Sequence, residues 1–390
     1  MIIHSPIILE DGDDVVYEVR IEFQGEVYTL WYRLCNRYTD FVTQLLDPAV
    51  VALIIPAMAA RENITLSGSI SERLLYYLSG PYQSVLMSII PSLDRIEIIP
   101  DDIVRPMEKA PGVLTGFSGG IDSFCVLADH YFAANVLKGF RITHLSFNNV
   151  GSHGKGAQAL FRKRYERLVP AAERIGLPFI SIDSNLDMFY RMFDNLNFQM
   201  THTPRNASVA LLLQGGVGRY LYASAFSFEH VHLRQANAMG YSDLVTLPML
   251  STDATDVFSV GSQYSRVEKT MHVAAIPDSY DSLDICVNDK GGGNCSVCSK
   301  CMRTLLTLEI GEVLDKYNGV FDIDAYFGKR CEYIQSVLKS NDPLLIEIVN
   351  FAEDRRVQLA EYSKPWRDFP QVCRRLVTRI DNIVSRFRNV

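Results

Sequence analysis

Several things are missing from this 390-residue chain, and each absence removes a class of function. No apolar run reaches the roughly 20 residues that cross a bilayer; the longest, such as Ala49–Ala60, stop well short. The N-terminal stretch MIIHSPIILEDGDD has no basic region, no long apolar core and no small-residue cleavage site, which argues against a secretory signal. Basic charge is not in excess: 38 Lys and Arg face 45 Asp and Glu, a net charge of −7. The chain as a whole therefore has no electrostatic case for gripping nucleic-acid phosphates. Internal repeats and low-complexity tracts are absent as well. Cysteine is sparse, at eight residues, but four of them fall within the sixteen positions Cys286–Cys301. Without an export signal, such clustering reads as metal ligation or redox chemistry rather than disulfides, and a cytoplasmic location is expected.

What is present is the make-up of a soluble globular protein, 48% hydrophobic and 21% charged, with length for two or three domains. Three regions separate. Residues 1–111 are expected to form an accessory α+β domain. Its β-rich runs Val15–Phe23 and Val27–Leu34 are joined at Gln24-Gly25; an apolar, helical stretch and a strand at Asp94–Ile99 follow. Residues 112–315 alternate strand and helix: strand Val113–Phe117, helix Ser123–Leu137, strand Arg141–Phe147, helix Ala157–Ile175, strand Phe179–Ile182 and a helical run Asn206–Tyr222. That alternation predicts an α/β fold with a doubly wound parallel sheet, whose ligands sit beyond the carboxyl ends of the strands. Residues 316–390 read as a helical extension. Its last element carries Val372, Leu376, Ile380, Ile383 and Phe387 at helical spacing, with Arg374, Arg375, Arg379, Arg386 and Arg388 beside them. Those arginines are either a solvated face or a dock for an acidic partner.

Two motifs carry chemistry. Gly116-Phe117-Ser118-Gly119-Gly120-Ile121-Asp122-Ser123 follows a strand and opens a helix. Paired glycines let backbone N–H groups close on an anion, and Ser118 and Ser123 can add hydroxyl donors. Asp122 suits Mg²⁺ or a helix cap rather than phosphate itself. No Gly-Lys-Ser/Thr follows, so this is not the P-loop of kinases and GTPases. The second motif is Cys286-x8-Cys295-x2-Cys298-x2-Cys301, with Gly291-Gly292-Gly293 in the long gap. Four thiolates satisfy tetrahedral Zn²⁺ and leave no open position, as in a structural site. An iron–sulfur cluster on Cys295, Cys298 and Cys301 is the competing reading.

The Ser-Gly-Gly-x-Asp-Ser stretch resembles the signature of the PP-loop ATP pyrophosphatase superfamily, adenine nucleotide alpha hydrolase-like enzymes that split ATP between its α and β phosphates. Together with the cysteine spacing it is similar to the 7-cyano-7-deazaguanine synthase (QueC-like) family. Two further stretches share the likeness: His202-Thr203-Pro204-Arg205-Asn206, and Ser265-Arg266-Val267-Glu268-Lys269 ahead of the cysteines. The resemblance covers about half the chain, Gly112–Glu309. It implies ATP, Mg²⁺ and Zn²⁺ as cofactors. Ser118, Gly119, Gly120, Asp122, Ser123, Asn148 and Asn206 would bind ATP, with Asp122, Arg205 and Lys269 as catalytic groups. Cys286, Cys295, Cys298 and Cys301 would bind zinc.

The resemblance further implies an ATP-dependent, AMP-forming ligase that activates a carboxylate-bearing small molecule of the deazaguanine type and passes its acyl group to an amine. One departure is Phe147-Asn148-Asn149-Val150-Gly151-Ser152-His153, where the family has an aspartate-containing segment; His153 and Lys155 add cationic capacity there. The flanking segments are another, a feature shared with QueC-like proteins of bacterial antiviral defence. They suggest an acceptor larger than ammonia, such as a protein's amine. A homodimer is a further expected partner; nucleic acid and membrane are not. The alternatives are a plain nitrile-forming synthase, a PP-loop sulfur transferase acting on tRNA, and a nucleotide-binding sensor without turnover.

Overall fold

A computed structural model describes residues 1–105, 108–153, 157–286 and 293–362. The chain folds into two compact units, Met1–Asp284 and Ile285–Val390. The boundaries read from sequence at 111 and 315 do not coincide with that division, and strand pairing explains why.

The first unit is α/β, built on a large, mostly parallel sheet. Its strands are β1 (Ile2–His4), β2 (Ile7–Asp11), β3 (Asp14–Phe23), β4 (Glu26–Cys35), β5 (Ile64–Ser67), β6 (Ser69–Ser71), β7 (Ile98–Ile99), β8 (Asp102–Val104), β9 (Gly112–Gly116), β10 (His144–Asn148), β11 (Phe179–Ser184), β12 (Val217–Ala223) and β13 (Asp256–Val260). The order is β13-β12-β9-β10-β11-β4-β3-β1-β5-β7, with β2 on β3; β6 and β8 pair separately. From β13 to β11 every pairing is parallel. The accessory strands continue this sheet through an antiparallel seam, Asp183 opposite Arg33 and Ser184 opposite Tyr32. No local pattern in the sequence announces a pairing between segments 150 residues apart.

Local patterns account for much of the rest. In β3 the buried residues Val15, Tyr17, Val19, Ile21 and Phe23 alternate, as one buried face demands. The β3–β4 turn places Gln24 and Gly25 at φ of 53° and 81°, the left-handed pair of a two-residue hairpin. The apolar run is the helix Asp47–Ala60, buried on every side and packed on the helix Phe198–Leu212. Pro56 within it has no N–H for the Ala52 carbonyl, and the Tyr190 hydroxyl donates to that carbonyl instead at 2.8 Å.

Three expectations are corrected. The run Asn206–Tyr222 is not one helix: the helix ends at Leu212 and β12 begins at Val217. Gly215 and Gly216 make the break, because a Cβ on either would collide with Asp40 or Phe41. The β-branched and aromatic Val217, Tyr220 and Tyr222 then favour a strand. The helix after the glycine loop is shorter than expected, Ile121–Leu127, and passes into a π-turn at Ala128–Phe132. The strand at Asp94–Ile99 shrinks to Ile98–Ile99.

In the second unit the helices Ser299–Ile310, Ile323–Val337 and Pro343–Asp354 pack on one another. Arg330 and the Tyr326 hydroxyl both donate to Glu309, each at 2.5 Å. The arginine stripe and Lys155 lie outside the described residues. Among the described residues no helix is long and apolar enough to cross a membrane.

Candidate functional site

Strand order reverses beside β9: the chain runs outward through β10 and β11, then returns to place β12 and β13 on the other side. In open α/β sheets that point, at the carboxyl ends, is where a crevice forms. The loop from Phe117 to Gly120 leaves β9 there. Gly119 has φ 72°, and a Cβ on it would stand 2.7 Å from Leu168 and 3.1 Å from Asp284. Only glycine meets both conditions. The carbonyl of Gly119 accepts from Asp284 N–H at 2.8 Å. Among the described residues, no hydrogen bond uses the N–H of Ser118, Gly119, Ile121 or Asp122, so these donors are open to an anion. The two serines differ. Ser118 is exposed, whereas Ser123 is buried and donates to the Gly120 carbonyl at 2.9 Å.

Asp122 stands at the head of the following helix and faces the helix Arg266–Val273. That helix begins with a complete capping box, Ser265 and Glu268 each bonding the other's backbone N–H. Its i, i+3 spacing sets Arg266 and Lys269 on one face. Arg266 reaches Asp122 Oδ1 at 2.8 Å and Lys269 Nζ reaches the same oxygen at 3.2 Å. Lys269 is 2% exposed and also donates to the Ser224 carbonyl and hydroxyl at 2.6 and 3.0 Å. Arg266 donates to the Ala225 carbonyl at 3.0 Å. Burial opposes ionisation of Asp122, and the charges of Arg266 and Lys269 overcome it, holding the carboxyl below its ordinary range. None of these bonds uses Asp122 Oδ2, which is left for a cation.

A second polar cluster lies under the same strand ends. Asn148, closing β10, donates to Asn206 at 3.1 Å, and Asn206 donates to the His202 carbonyl at 2.8 Å. His202 Nδ1 meets the Tyr222 hydroxyl at 2.7 Å, and burial, helped by Arg205, lowers its pKa to about 4, so the ring is neutral. Thr203 donates to Asp243 at 2.5 Å. Asp243 is 1% exposed, and burial raises its pKa to about 7 against that one hydrogen bond. Arg205 does not join either cluster. Its guanidinium, 1% exposed, is held by Asp187 at 2.7 Å and the Val150 carbonyl at 3.1 Å, and lies 3.6 Å over the Tyr190 ring. It braces the loop after β10, where a Cβ on Gly151 would strike it. His153 is buried against Phe147 and Phe161.

Sequence reasoning missed two arginines. Arg266 was visible in its motif but received no role. Arg167, on the helix Ala157–Ile175, pairs with Asp284, the residue that packs on Gly119. Its Nε and Nη1 are buried with no partner, two donors close to the open loop. The only sequence signal was its position on the polar face of an amphipathic helix.

In the second unit the four cysteines converge. The sulfurs of Cys286, Cys295, Cys298 and Cys301 all lie within 4.8 Å of one another, with Cys286 and Cys298 at 4.0 Å. Four bonds of about 2.3 Å to one tetrahedral ion require sulfurs about 3.8 Å apart. The Cys298 N–H donates to the Cys295 sulfur at 3.3 Å, and Cys298 caps the helix Ser299–Ile310. This group could hold a metal ion such as zinc.

Comparison with known protein families, curated proteins and solved structures returned no match.

Proposed function

We propose that this chain is an ATP-dependent, AMP- and pyrophosphate-forming enzyme of the PP-loop type, acting on a deazaguanine-type carboxylate and passing its acyl group to an amine. The observation that carries the reading is the set of open N–H donors at Ser118, Gly119, Ile121 and Asp122, beside an aspartate pinned by Lys269 and Arg266. A neutral ligand would leave those donors poorly used; a polyphosphate fills them.

The substrate carboxylate attacks the α-phosphorus of ATP and pyrophosphate leaves. The amine nitrogen then attacks the acyl carbon, the bond to AMP oxygen breaks, and the amine gives up a proton. The loop N–H groups and Ser118 hold the departing phosphates, and Arg167 supplies two further donors. Lys269 and Arg266 keep Asp122 ionised and aimed, with Oδ2 free toward a cation. Mg²⁺, bound with ATP, would supply charge neutralisation at the leaving group. Asn148 and Asn206 offer amide groups to the substrate or the adenine. Arg205 serves as a brace for the loop after β10 rather than as a reacting group. Zinc on the four cysteines would be structural. The sulfur spacing favours one ion over a cluster, and with it acyl transfer over sulfur transfer to tRNA.

The test is pyrophosphate release from ATP and Mg²⁺ with 7-carboxy-7-deazaguanine, followed by mass spectrometry of the small molecule and of candidate protein acceptors. Release that depends on the carboxylate supports the reading. A chain that binds ATP without turnover supports the sensor instead. Free nitrile at a normal rate would replace the protein-acceptor form with the plain synthase.

A further inference from the structure

The segment 224–242 that follows β12, regular only in the short 3₁₀ turns Phe228–His230 and Met239–Tyr241, is long for a connection, and connections of that length are commonly functional. It begins at the switch point, and Ala225 within it is tied to Arg266 of the Asp122 cluster. Three of its rings stack: Phe226 on Tyr241 at 3.8 Å and 14°, and His232 on the other side of Tyr241 at 4.8 Å and 15°. The Phe228 N–H donates to the Ser262 carbonyl at 2.8 Å, and the His232 N–H to the Tyr241 carbonyl at 3.0 Å. The segment is thus held in one shape rather than trailing in solvent.

It borders an open cavity of about 400 Å³ lined by Glu229, His230, Val231, His232, Arg234 and Tyr241. Glu229 and Arg234 carry opposite charges on this one cavity. Among the described residues neither forms an ion pair or hydrogen bond, with the other or with anything else. His232 Nδ1 is buried and has no partner. Both faces of Tyr241 are already covered, so this ring offers no slot for a flat nucleobase. A purely anionic ligand meets Glu229 unfavourably, a purely cationic one meets Arg234, and an apolar one would desolvate both charges without compensation. A ligand bearing one charge of each sign satisfies all three groups.

We propose that this cavity binds a molecule carrying an ammonium and a carboxylate, with the ammonium at Glu229 and His232 Nδ1 and the carboxylate at Arg234. Under the acyl-transfer reading, on which this last step rests, that molecule is the amine acceptor, held by the segment that Ala225 ties to Arg266. Two sources share the chemistry: a free amino acid, and a peptide amino terminus followed by an acidic residue.

Titration of the full chain without ATP, by calorimetry, uses alanine, Gly-Glu, acetyl-Gly-Glu and glycinamide. Alanine binding points to the amino acid; Gly-Glu binding without alanine binding points to the peptide. Acetylation or loss of the carboxylate is expected to weaken binding at least fivefold. Glu229→Gln and Arg234→Met are each expected to cost about fivefold, the scale of an exposed ion pair. Both side chains are exposed, so the variants keep the fold. Absence of saturable binding by alanine and Gly-Glu up to about 10 mM, or unchanged binding after acetylation and in both variants, overturns the assignment. Pyrophosphate release with no such binding removes this site alone; binding with no release removes the acyl-transfer reading alone.

Discussion

Two aspartates at one sheet edge show opposite solutions to the same problem. Asp122 and Asp243 both sit near the carboxyl ends of the strands, and burial pushes both toward the neutral acid. At Asp122, Arg266 and Lys269 reverse that push and the group stays ionised. At Asp243 a single hydroxyl, Thr203, opposes it and the pKa stands at about 7. Two differences act together: Asp122 has two cations within reach and Asp243 none, and the Asp122 side chain is 32% exposed against 1% for Asp243. A carboxylate kept charged beside open N–H donors suits phosphate and metal chemistry. One kept protonated beside Tyr220, Tyr222 and Thr203 suits the bottom of a neutral polar pocket. The four cysteines of the second unit are a third case. Burial and the neighbouring Cys298 push the Cys301 thiol well up, and a divalent cation is the partner that would hold such sulfurs as thiolates.

The largest expected effect lies at those cysteines. Purified protein should carry about one zinc per chain and be colourless. Removing the ion, or Cys298→Ser, should unfold the second unit, because structural zinc contributes on the order of 10 kcal/mol to small domains. Elemental analysis and circular dichroism read this out. Iron with acid-labile sulfide, or a full thermal melt unchanged by chelator, would remove the zinc reading.

Next comes Asp122. Its place on the loop's rim suggests that Asp122→Ala should silence turnover and spare the fold. The ion pairs say otherwise, since the change strands the buried Lys269 ammonium at a cost of about 3–5 kcal/mol. Asp122→Asn keeps a hydrogen-bond acceptor and should fold better than the alanine variant. Pyrophosphate release should fall by more than about 100-fold in both, or about 3 kcal/mol. Wild-type turnover in Asp122→Asn would take the carboxylate out of the site. Equal melting temperatures for Asp122→Ala and wild type would show that Lys269 has no need of it.

The pH dependence of stability separates the two aspartates directly. Folded, Asp243 keeps its proton up to about pH 7; unfolded, it ionises near its ordinary value of 3.8. Between those values folding takes up a proton at Asp243, so this group's contribution to stability declines as pH rises from about 4 to 7 and stays reduced above, while His202, neutral in the fold down to about pH 4, contributes a rise up to about pH 6.5. The reduction is on the order of 4 kcal/mol. Asp122 has the opposite sign: its contribution is present above about pH 4 and disappears below it, as pH falls through the lowered pKa. Tyr82, Tyr220 and Tyr222, the titratable neighbours of Asp243, are all raised above 10 by burial and stay out of the window. Asp243→Asn should therefore leave denaturant-measured stability rising between about pH 4 and 6.5 on account of His202, and raise it above 7 relative to wild type. A difference between variant and wild type that stays constant from pH 4 to 7 would show that Asp243 is ionised in the fold.

How much of this was legible follows from how local each feature is. The glycine loop, the capped helix carrying Lys269 and the cysteine cluster each depend on residues close in sequence, and periodicity and spacing exposed them. The strands from β9 to β11 emerged for the same reason. The seam between β4 and β11, the Arg167–Asp284 pair and the capture of Arg205 by Asp187 join distant segments, and their residue types look ordinary in isolation. Arg205 is the instructive case. An arginine in a promising motif was given a catalytic role; its guanidinium, 1% exposed over Tyr190, directs Nη1 to Asp187 and the Val150 carbonyl and leaves Nε without a partner.

The smallest effect tests whether the charged pair at Asp122 depends on where its helix starts. Ser265 touches neither Asp122 nor any open donor; its hydroxyl accepts from Glu268 N–H at 3.1 Å, and Glu268 returns a bond to Ser265 N–H at 2.7 Å. Losing the cap by Ser265→Ala costs about 1 kcal/mol of helix stability. If the first turn frays, Arg266 is the residue displaced, since it is the first in the helix, while Lys269 lies a turn further in and is anchored on Ser224. Asp122 would then keep one cation instead of two and move part of the way toward Asp243. Pyrophosphate release should drop several-fold, with the loss larger at high salt, where the one-third-exposed Asp122 carboxylate is screened from its remaining cation. Ser265→Asp, which caps equally well, should restore it. A drop of the same size in both variants would mean that the serine acts by some route other than capping, and the link from cap to cation pair would be broken.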